Sequence, residues 1–425
     1  MRLQRSGISK SQIEPATLRK MPRRSGVQVG IVGKPNTGKT TLFAAATLQE
    51  AKIAPYPFTT VEPNVGIGYV RFKCVCKDFG VKDEPVNSFC IDGWRFAPVE
   101  LIDVAGLVPD AWRGRGLGNR FLDHLRRADA LIHVVDASGS TDIEGRPVEP
   151  GSHDPLKDVE FLEREVDMWL YGILRRDWSR FALSVEATGA KIEEELYKRL
   201  SGLEVEEAAV AEAIDAAGLY AKRPTLWSDE DIMLFVRELR SRAKPMVIAA
   251  NKVDLPPARR NVERLRERLK ERYLVVPMSA EAELALRRAS AAGLIRYVPG
   301  DGDFEVVGRL TERQERALEY IRTRVLKVWG STGVQEVINT VVFDLLRYVA
   351  VFPVADEYKL SDHKGRVLPE VYLMKHGSTP RDLAYTIHTE LGEKFIAAID
   401  VKTRRRLSAT TPLEHRSVVK IVTGR

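Results

Sequence analysis

The chain has 425 residues, 44% of them hydrophobic and 29% charged, with a formal net charge of +7. This length favours two or three domains with buried cores, whereas three cysteines argue against a secreted fold built on disulfides. No stretch approaches the apolar length of a membrane span and no signal peptide precedes the first predicted strand, so we expect a cytoplasmic monomer that contacts no membrane.

The positive charge lies at the two ends of the chain. Residues 1–26 and residues 401–425 each carry seven basic side chains against one acidic one, which gives a net charge of +6 at each end and −5 between them. Basic ends on an acidic body favour contact with a polyanion, and RNA is the obvious one. A solvated tail is the alternative for residues 1–26, which we treat as a basic N-terminal extension.

The first motif predicts a phosphate-binding loop. The apolar run 27–32 is typical of a buried strand, and a glycine-rich turn and the start of a helix follow it. That segment consists of Gly33, Lys34, Pro35, Asn36, Thr37, Gly38, Lys39, Thr40 and Thr41. Its backbone N–H groups would surround phosphate oxygens at the positive end of the helix. Lys39 would reach the outer phosphates and the Thr40 hydroxyl would ligate Mg²⁺, although a glycine-rich surface turn is the alternative.

Two further segments fit a nucleotide switch. Pro57-Phe58-Thr59-Thr60 falls on a predicted loop where a threonine would complete the Mg²⁺ shell only when a γ-phosphate is bound. Spacing does not choose between the two threonines, and we favour Thr60. The strand 99–102 then leads into Asp103, which would hold Mg²⁺ through water, and Gly106, whose N–H would face the γ-phosphate.

The base is predicted to be guanine. Asn251, Lys252 and Asp254 follow the apolar run 245–250. The Asp254 carboxylate would accept hydrogen bonds from N1–H and the N2 amine of guanine, whereas adenine would leave it unpaired at a cost of a few kcal/mol. Asn251 would hold N7 and the neighbouring loop, Lys252 would stack along the base, and the segment with Ser279 and Ala280 would offer a backbone N–H to O6. These motifs predict GTP and GDP as ligands.

The motifs resemble those of the Obg-type GTPases, and among them the YchF branch in its archaeal form. The resemblance rests on Lys34-Pro35-Asn36, the segment from Tyr56 to Gly66, Asp103 to Leu107 and the glycine-rich segment from Gly114 to Leu122. It extends from about residue 26 to the C-terminus. Bacterial and eukaryotic YchF proteins typically have a degraded base-reading motif and prefer ATP. Here that motif is intact, so we do not transfer the ATP preference.

The spacing of the motifs predicts the domains. Residues 27–138 and 245–330 would form a doubly wound α/β P-loop GTPase domain, because about a hundred residues separate its two parts. Within that insertion, residues 139–244, Ile192, Leu196, Leu200 and Leu203 recur at helical spacing. The resemblance implies an antiparallel helical, coiled-coil arm here.

Residues 331–425 would form a β-grasp domain. Strands are predicted at 356–360, 371–374, 395–400 and 418–422, and Thr379 would cap a helix that begins at Pro380. This order resembles the TGS domain, which in its families is considered a recognition module for RNA or the ribosome. We therefore expect a ribosomal subunit or RNA as a partner.

The sequence lacks a glutamine at the position where Ras-like enzymes orient the attacking water. Leu107 stands where Ras-like enzymes place the glutamine that orients water, so either hydrolysis is slow or another group acts. In some relatives an asparagine that matches Asn36 holds an activating K⁺ ion, although a turn-forming role is the alternative. His133 is a second candidate, but a strand histidine is more often a core residue. The proposed catalytic residues are Lys39, Asn36 and His133.

Cys74, Cys76 and Cys90 fall one ligand short of a closed zinc site, so reduced cytoplasmic thiols are the expectation. The sequence as a whole predicts a Mg²⁺-dependent GTPase that acts as a switch on the ribosome or RNA. The alternatives are a nucleotide-gated sensor with slow turnover, and an RNA chaperone or tRNA-binding factor that rests on the C-terminal domain alone.

Overall fold

The computed structural model describes residues 26–47, 64–104, 106–107, 109–113, 125–203 and 205–424. Within these ranges, a central sheet has the strand order β2-β4-β1-β5-β6-β7, with β3 paired to β4. Its strands are β1 Gln28–Val32, β2 Val65–Lys73, β3 Phe89–Ile91, β4 Trp94–Asp103, β5 Ala130–Asp136, β6 Met246–Asn251 and β7 Val275–Pro277. The strands β4, β1, β5, β6 and β7 are parallel, and β2 and β3 run antiparallel to β4. The strands β1, β5 and β6 are buried throughout, as expected for a parallel sheet covered on both faces.

Helices cover both faces of this sheet. They are α1 Lys39–Thr47, α2 Val75–Phe79, α3 Leu156–Arg175, α4 Trp178–Thr188, α5 Ile192–Leu200, α6 Glu207–Ala216, α7 Asp229–Ala243, α8 Ala258–Leu269 and α9 Ala280–Ala291. Short 3₁₀ turns lie at Ala111–Arg113, Ser201–Leu203 and Pro224–Leu226. The doubly wound α/β arrangement predicted from the motifs is confirmed.

The helical insertion consists of α3 to α7 and shares one hydrophobic core with the sheet. The predicted helical insertion is confirmed, and left-handed residues at Asp177 (φ 55°) and Gly189 (φ 64°) separate its first helices. These breaks fold the segment back on itself, so that the stacked rings of Trp178 and Trp227 lie 5.4 Å apart between the helices. The helices of the insertion therefore pack together and against the central sheet.

A connecting region leads to the C-terminal domain. It contains β8 Ile295–Arg296, β9 Glu305–Val306, α10 Glu312–Ile321, a π-helical turn Arg322–Leu326, α11 Lys327–Trp329, α12 Val334–Asn339 and a second π-helical turn Thr340–Leu345. The α12 side chain Asn339 donates to the Arg71 carbonyl at 2.9 Å and accepts from the Arg71 N–H at 2.8 Å. The helix α12 thus packs against β2. The predicted boundary at 331 lies ahead of the C-terminal sheet, whose first strand begins at Tyr348.

The C-terminal sheet has the strand order β11-β10-β14-β12-β13. Its elements are β10 Tyr348–Val354, β11 Tyr372–Lys375, α13 Pro380–Ile387, α14 Thr389–Glu393, β12 Phe395–Asp400, β13 Arg405–Leu407 and β14 Ser417–Thr423. The parallel pairing of β10 with β14 and the helix between the hairpins give the predicted β-grasp order. The capping box at Thr379 is present as predicted.

One predicted strand of this domain was wrong. Residues 356–360 form a turn, in which the Asp356 Oδ1 atom accepts hydrogen bonds from the N–H groups of Tyr358 and Lys359 at 2.8 and 3.0 Å. A short aspartate side chain that bonds to its own backbone competes with strand pairing. The strand lies earlier, at Tyr348–Val354, where the buried apolar residues are. No helix among the described residues is long and apolar enough to cross a membrane.

Candidate nucleotide-binding site

The loop between β1 and α1 depends on two glycines with positive φ. A Cβ atom on Gly33 (φ 145°) would lie 2.5 Å from the Val134 carbonyl oxygen, and one on Gly38 (φ 97°) would lie 2.2 Å from the Asn251 Nδ2 atom. A side chain at Gly33 would collide with the backbone of β5, and one at Gly38 would collide with the Asn251 side chain at the end of β6. The loop can therefore close on itself and leave its N–H groups available to an anion only with glycine at both places.

Lys39 begins α1 below this loop and is only 7% exposed. Its Nζ atom donates to the Lys34 carbonyl oxygen at 2.6 Å. Burial lowers the pKa of Lys39 to about 8, and the nearby Asp103 carboxylate opposes that shift. A lysine held in a poorly solvated position gains much from an anionic phosphate, which is the role predicted for it.

Thr40 and Asp103 lie together at the open side of the loop. The Thr40 hydroxyl donates to the Asp103 Oδ2 atom at 3.0 Å, although the two residues are 63 positions apart in the chain. A hydroxyl and a carboxylate in contact are the hard oxygen donors that Mg²⁺ prefers, so these residues fit that ion. Gly106 lies close by, since a Cβ atom on it would be 3.3 Å from the Lys39 Nζ atom. Thr41 follows in the first turn of α1, and Thr60 lies outside the described residues.

Asn251 connects three loops of the predicted site. Its Nδ2 atom donates to the Thr37 carbonyl oxygen at 2.7 Å, and its Oδ1 atom accepts from the Ala280 N–H at 3.0 Å. The Ser279 hydroxyl donates to the Asp254 Oδ1 atom at 3.0 Å. The phosphate loop and both predicted base-reading segments are therefore held in one constellation by side chains that are buried or half-buried.

Lys252 has a left-handed backbone, with φ 65°. Its Nζ atom pairs with the fully buried Asp136 carboxylate at 2.9 Å. The same carboxylate accepts from the hydroxyls of Ser138, Ser140 and Thr141. Asp136 thereby fixes both the lysine predicted to stack on the base and the loop that follows β5.

That loop, residues 137–155, lies against the phosphate-binding loop. Lys34 is 1% exposed, and its Nζ atom donates to the Thr141 carbonyl and to the Asp158 Oδ1 atom of α3, both at 2.9 Å. The Asn36 amide donates to the Gly145 carbonyl at 2.9 Å, and a Cβ atom on Gly145 (φ 83°) would lie 2.5 Å from the Pro35 carbonyl oxygen. The Lys34 side chain thus faces the insertion, and only its backbone is available to phosphate.

His133 lies in the middle of β5 and is 1% exposed. Burial lowers its pKa to about 3, with smaller contributions from Lys39 and Lys34, so the ring is neutral near pH 7. Its Nδ1 atom has no hydrogen-bond partner among the described residues. The ring packs beneath Gly33, where it is shielded from solvent, and this placement argues against direct contact with an attacking water.

Leu107 is also buried, at 2% exposure, in the core shared by the sheet and the insertion. Its N–H donates to the Gly33 carbonyl oxygen at 3.2 Å. The residue that replaces the water-orienting glutamine is therefore a packing residue that anchors the segment after Asp103 to the phosphate loop.

Sequence reasoning missed Asp136, Asp158 and Gly145. A signal was present for the first of these, because Asp136 ends a buried strand and is followed by Ser138, Ser140 and Thr141. Asp158 gave no local signal, since an aspartate in the first turn of a helix is ordinary. Its role follows only from the insertion folding back over the phosphate loop.

The loops gather at the carboxyl ends of β1, β4, β6 and β7, where open α/β sheets bind ligands. Fold and site together define a P-loop protein of the GTPase class. Residues 28–155 match the family described as a 50S ribosome-binding GTPase, residues 249–356 match the G4 motif-containing domain of the YGR210-like Obg-like GTPases, and residues 360–423 match the TGS domain.

The relatives agree with these matches. An uncharacterized GTP-binding protein of Methanocaldococcus jannaschii is 51% identical over 398 residues, which cover 93% of this chain and 99% of that protein. The crystal structure of a GTP-binding protein from Pyrococcus horikoshii is 44% identical with a TM-score of 0.75, covering 94% of this chain and all of that one. The Schizosaccharomyces pombe YchF GTPase shares the fold at 20% identity and a TM-score of 0.57, over 94% of this chain and 98% of that one. The chain belongs to the Obg-like GTPase family, in its YchF branch, as its motifs predicted.

Proposed function

We propose that this protein binds GTP and GDP with Mg²⁺, hydrolyses GTP slowly, and acts as a nucleotide switch on a ribosomal subunit or RNA. The observation that carries the proposal is the double hydrogen bond of Asn251 to Thr37 and Ala280, beside the Asp254–Ser279 contact. This arrangement would hold a guanine-reading carboxylate at a fixed distance from the phosphate loop. An adenine ring would leave that carboxylate without donors.

The binding roles follow from the positions of the side chains. The N–H groups of the phosphate loop and the Lys39 ammonium would bind the phosphates, and Thr40 with Asp103 would hold Mg²⁺. When bound, the ion would neutralise charge that develops on the transferred phosphoryl group. The Asn36 amide nitrogen donates to the Gly145 carbonyl, so its Oδ1 atom would be the one offered to an activating K⁺ ion.

Slow hydrolysis follows from the apolar, buried Leu107. No polar group stands at that position to orient water, so the basal rate is expected to be on the order of 10⁻³ per second or less, as for unassisted switches. The same observation favours a second candidate, a nucleotide-gated sensor that hardly turns over. Single-turnover hydrolysis of GTP with and without ribosomal subunits separates the two.

The ribosome or RNA partner is supported by a basic hairpin in the C-terminal sheet. Lys402, Arg404, Arg405 and Arg406 are exposed along β12–β13, and the Arg404 guanidinium lies 5.8 Å from the centre of the exposed Tyr358 ring. Arginine beside an exposed aromatic ring suits both phosphate binding and base stacking. The Bacillus subtilis relative, 40% identical over 140 residues, is called a ribosome-binding ATPase.

Two experiments test this proposal. Thr40→Ala should abolish Mg²⁺-dependent hydrolysis, whereas Thr40→Ser keeps the hydroxyl and should retain it; full activity of Thr40→Ala would contradict the Mg²⁺ assignment. For the partner, co-sedimentation with ribosomal subunits is measured in GDP and in a non-hydrolysable GTP analogue. Replacing Arg405 and Arg406 by alanine should weaken it, whereas replacing the exposed Arg313 and Arg316 of α10, an equal loss of charge, should not. Equal effects of the two pairs would refute the C-terminal surface.

A further inference from the structure

The three cysteines of the chain meet a fourth ligand that the sequence did not reveal. Cys74, Cys76 and Cys90 are joined by Asp83, and the three sulfurs and one carboxylate oxygen all lie within 4.8 Å of one another. The Cys74 sulfur is 3.2 Å from the Asp83 Oδ2 atom, and the Cys76 and Cys90 sulfurs are 3.9 Å apart. This cluster lies at the edge of the central sheet. It is distant in sequence from the base-reading motif, and none of its residues belongs to the predicted nucleotide site.

These separations suit a tetrahedral metal ion. With metal–sulfur bonds of about 2.3 Å and a metal–oxygen bond of about 2.0 Å, a tetrahedron has sulfurs about 3.8 Å apart and sulfur–oxygen edges of about 3.5 Å. The observed 3.9 and 3.2 Å lie within a few tenths of an ångström of these values. A disulfide would instead require sulfurs at about 2.05 Å, and all three cysteines are free.

The site is also closed, as structural metal sites are. Cys74 and Cys76 are buried, Cys90 is partly buried, and the Asp83 side chain is 9% exposed. Each ligand is fixed by local structure. Cys74 precedes α2, whose left-handed Gly80 turns the chain toward Asp83, and Cys90 lies in β3 beside β4.

We propose that Cys74, Cys76, Asp83 and Cys90 form a structural Zn²⁺ site. Three thiolates make soft divalent ions such as Zn²⁺ the preferred class, and a carboxylate is an accepted fourth ligand. Four anionic ligands around Zn²⁺ leave a net charge of −2. The fully buried Arg95 offsets part of it, because its Nη1 atom lies 2.7 Å from the Asp83 Oδ2 atom.

The position of Asp83 indicates that the ion would stabilise a contact between two domains. The loop that carries Asp83 docks the C-terminal domain, since the Glu84 N–H donates to the Val367 carbonyl at 2.8 Å and the Val86 N–H donates to the Pro369 carbonyl at 2.7 Å. Arg95 completes the contact by donating to the Leu368 carbonyl at 2.7 Å. A metal at Asp83 would hold this loop in the conformation that the C-terminal domain contacts, and would thereby join the two domains.

The test uses the full, untagged chain purified under reducing conditions. Metal analysis should find about one Zn²⁺ per chain, and Co²⁺ exchanged into the site should give the intense visible absorption of a tetrahedral cobalt–thiolate centre. Removing the metal with a chelator should expose the 80–88 loop to limited proteolysis. Nucleotide binding provides a check that the chelated protein remains folded.

Variants identify the ligands. Cys90→Ser should lower Zn²⁺ affinity by more than about a hundredfold, since loss of a direct ligand exceeds the 10–100-fold typical of outer-sphere changes. Asp83→Cys should keep the metal and shift the cobalt spectrum toward a four-sulfur centre. Because this variant gains a signal, its result does not depend on a loss of metal that misfolding could also cause. Asp92→Asn, which alters an exposed carboxylate two residues from Cys90, is the matched control and should change neither the Zn²⁺ affinity nor the cobalt spectrum.

Three results would overturn the proposal. The first is the absence of stoichiometric Zn²⁺ and of a cobalt–thiolate spectrum in the unaltered, reduced protein. The second is a mass two units low that marks a disulfide between Cys76 and Cys90 in the protein as isolated. The third is a cobalt spectrum that Asp83→Cys leaves unchanged, because Asp83 would then not be a ligand.

Discussion

The buried ion pair between Lys34 and Asp158 allows the coupling of the helical insertion to the phosphate loop to be tested quantitatively. The side chains are 0% and 1% exposed and their charged atoms are 2.9 Å apart. Asp158→Asn keeps the size of the side chain and removes its charge, which leaves the lysine without its counter-ion in the interior. Breaking one partner of such a pair costs about 3–5 kcal/mol, and we expect the lower end because the amide oxygen still accepts a hydrogen bond.

Asp154→Asn is the matched control. The Asp154 Oδ1 atom pairs with the Arg264 Nη2 atom at 2.6 Å, but these side chains are 33% and 42% exposed. An exposed pair of this kind contributes at most about 1 kcal/mol, and asparagine also keeps the acceptor for the Leu156 N–H. The double variant Lys34→Met with Asp158→Asn should lose less than the sum of the two single changes, because no unpaired charge remains buried.

The assay is urea unfolding followed by circular dichroism, with GDP affinity as the second readout. Asp158→Asn should lower the unfolding free energy by about 3 kcal/mol and weaken GDP, since Lys34 belongs to the phosphate loop. A loss no larger than that of Asp154→Asn would show that the buried pair does not stabilise the contact between the insertion and the phosphate loop. So would a large stability loss with unchanged GDP affinity, because the pair would then not support the loop.

Three further predictions concern pH and ions. Because the pKa of Lys39 is about 8, phosphate binding above that pH requires Lys39 to take up a proton, and GDP affinity should fall as pH rises, approaching tenfold per pH unit. Lys39→Arg should flatten this dependence of GDP affinity on pH. An equal dependence in both proteins would contradict the role of Lys39 in phosphate binding. The pKa of His133 is about 3 in the folded protein and 6.5 in the unfolded chain, so the unfolded state binds more protons between these pH values. The free energy of unfolding should therefore fall by about 1.4 kcal/mol per pH unit as pH drops from 6.5 toward 3. Urea unfolding at several pH values checks this, and His133→Phe should remove this part of the pH dependence. If the Asn36 Oδ1 atom holds K⁺, replacing K⁺ by Na⁺ should slow GTP hydrolysis and Asn36→Ala should abolish the difference, whereas a rate indifferent to K⁺ would remove the ion from the mechanism.

The sequence predicted the parts of this protein whose physics is local. A glycine turn between a strand and a helix identified the phosphate loop, and Thr379 ahead of Pro380 identified the capped helix of the C-terminal domain. The fold class was confirmed for the same reason, because parallel buried strands followed by motif loops occur in few arrangements.

The rest depended on contacts between distant segments. Helical periodicity marked the insertion but not its bundle form, since the left-handed turns at Asp177 and Gly189 give no periodic signal. Asp83 joins the three cysteines only because the turn after α2 brings it there. Likewise, the spacing of the motifs gave no indication that Asp158 reaches Lys34 across 124 residues.

The proposed function depends on recognition of guanine by Asp254. Its most direct test is a competition measurement of GTP, ATP and xanthosine triphosphate against a fluorescent nucleotide, for the unaltered protein and for Asp254→Asn. We predict a preference of at least about tenfold for GTP over ATP in the unaltered protein. Asp254→Asn should shift the preference toward xanthosine triphosphate, because the 2-oxo group of xanthine accepts a hydrogen bond from the amide of the variant. Equal affinity of the unaltered protein for GTP and ATP would show that Asp254 does not select guanine.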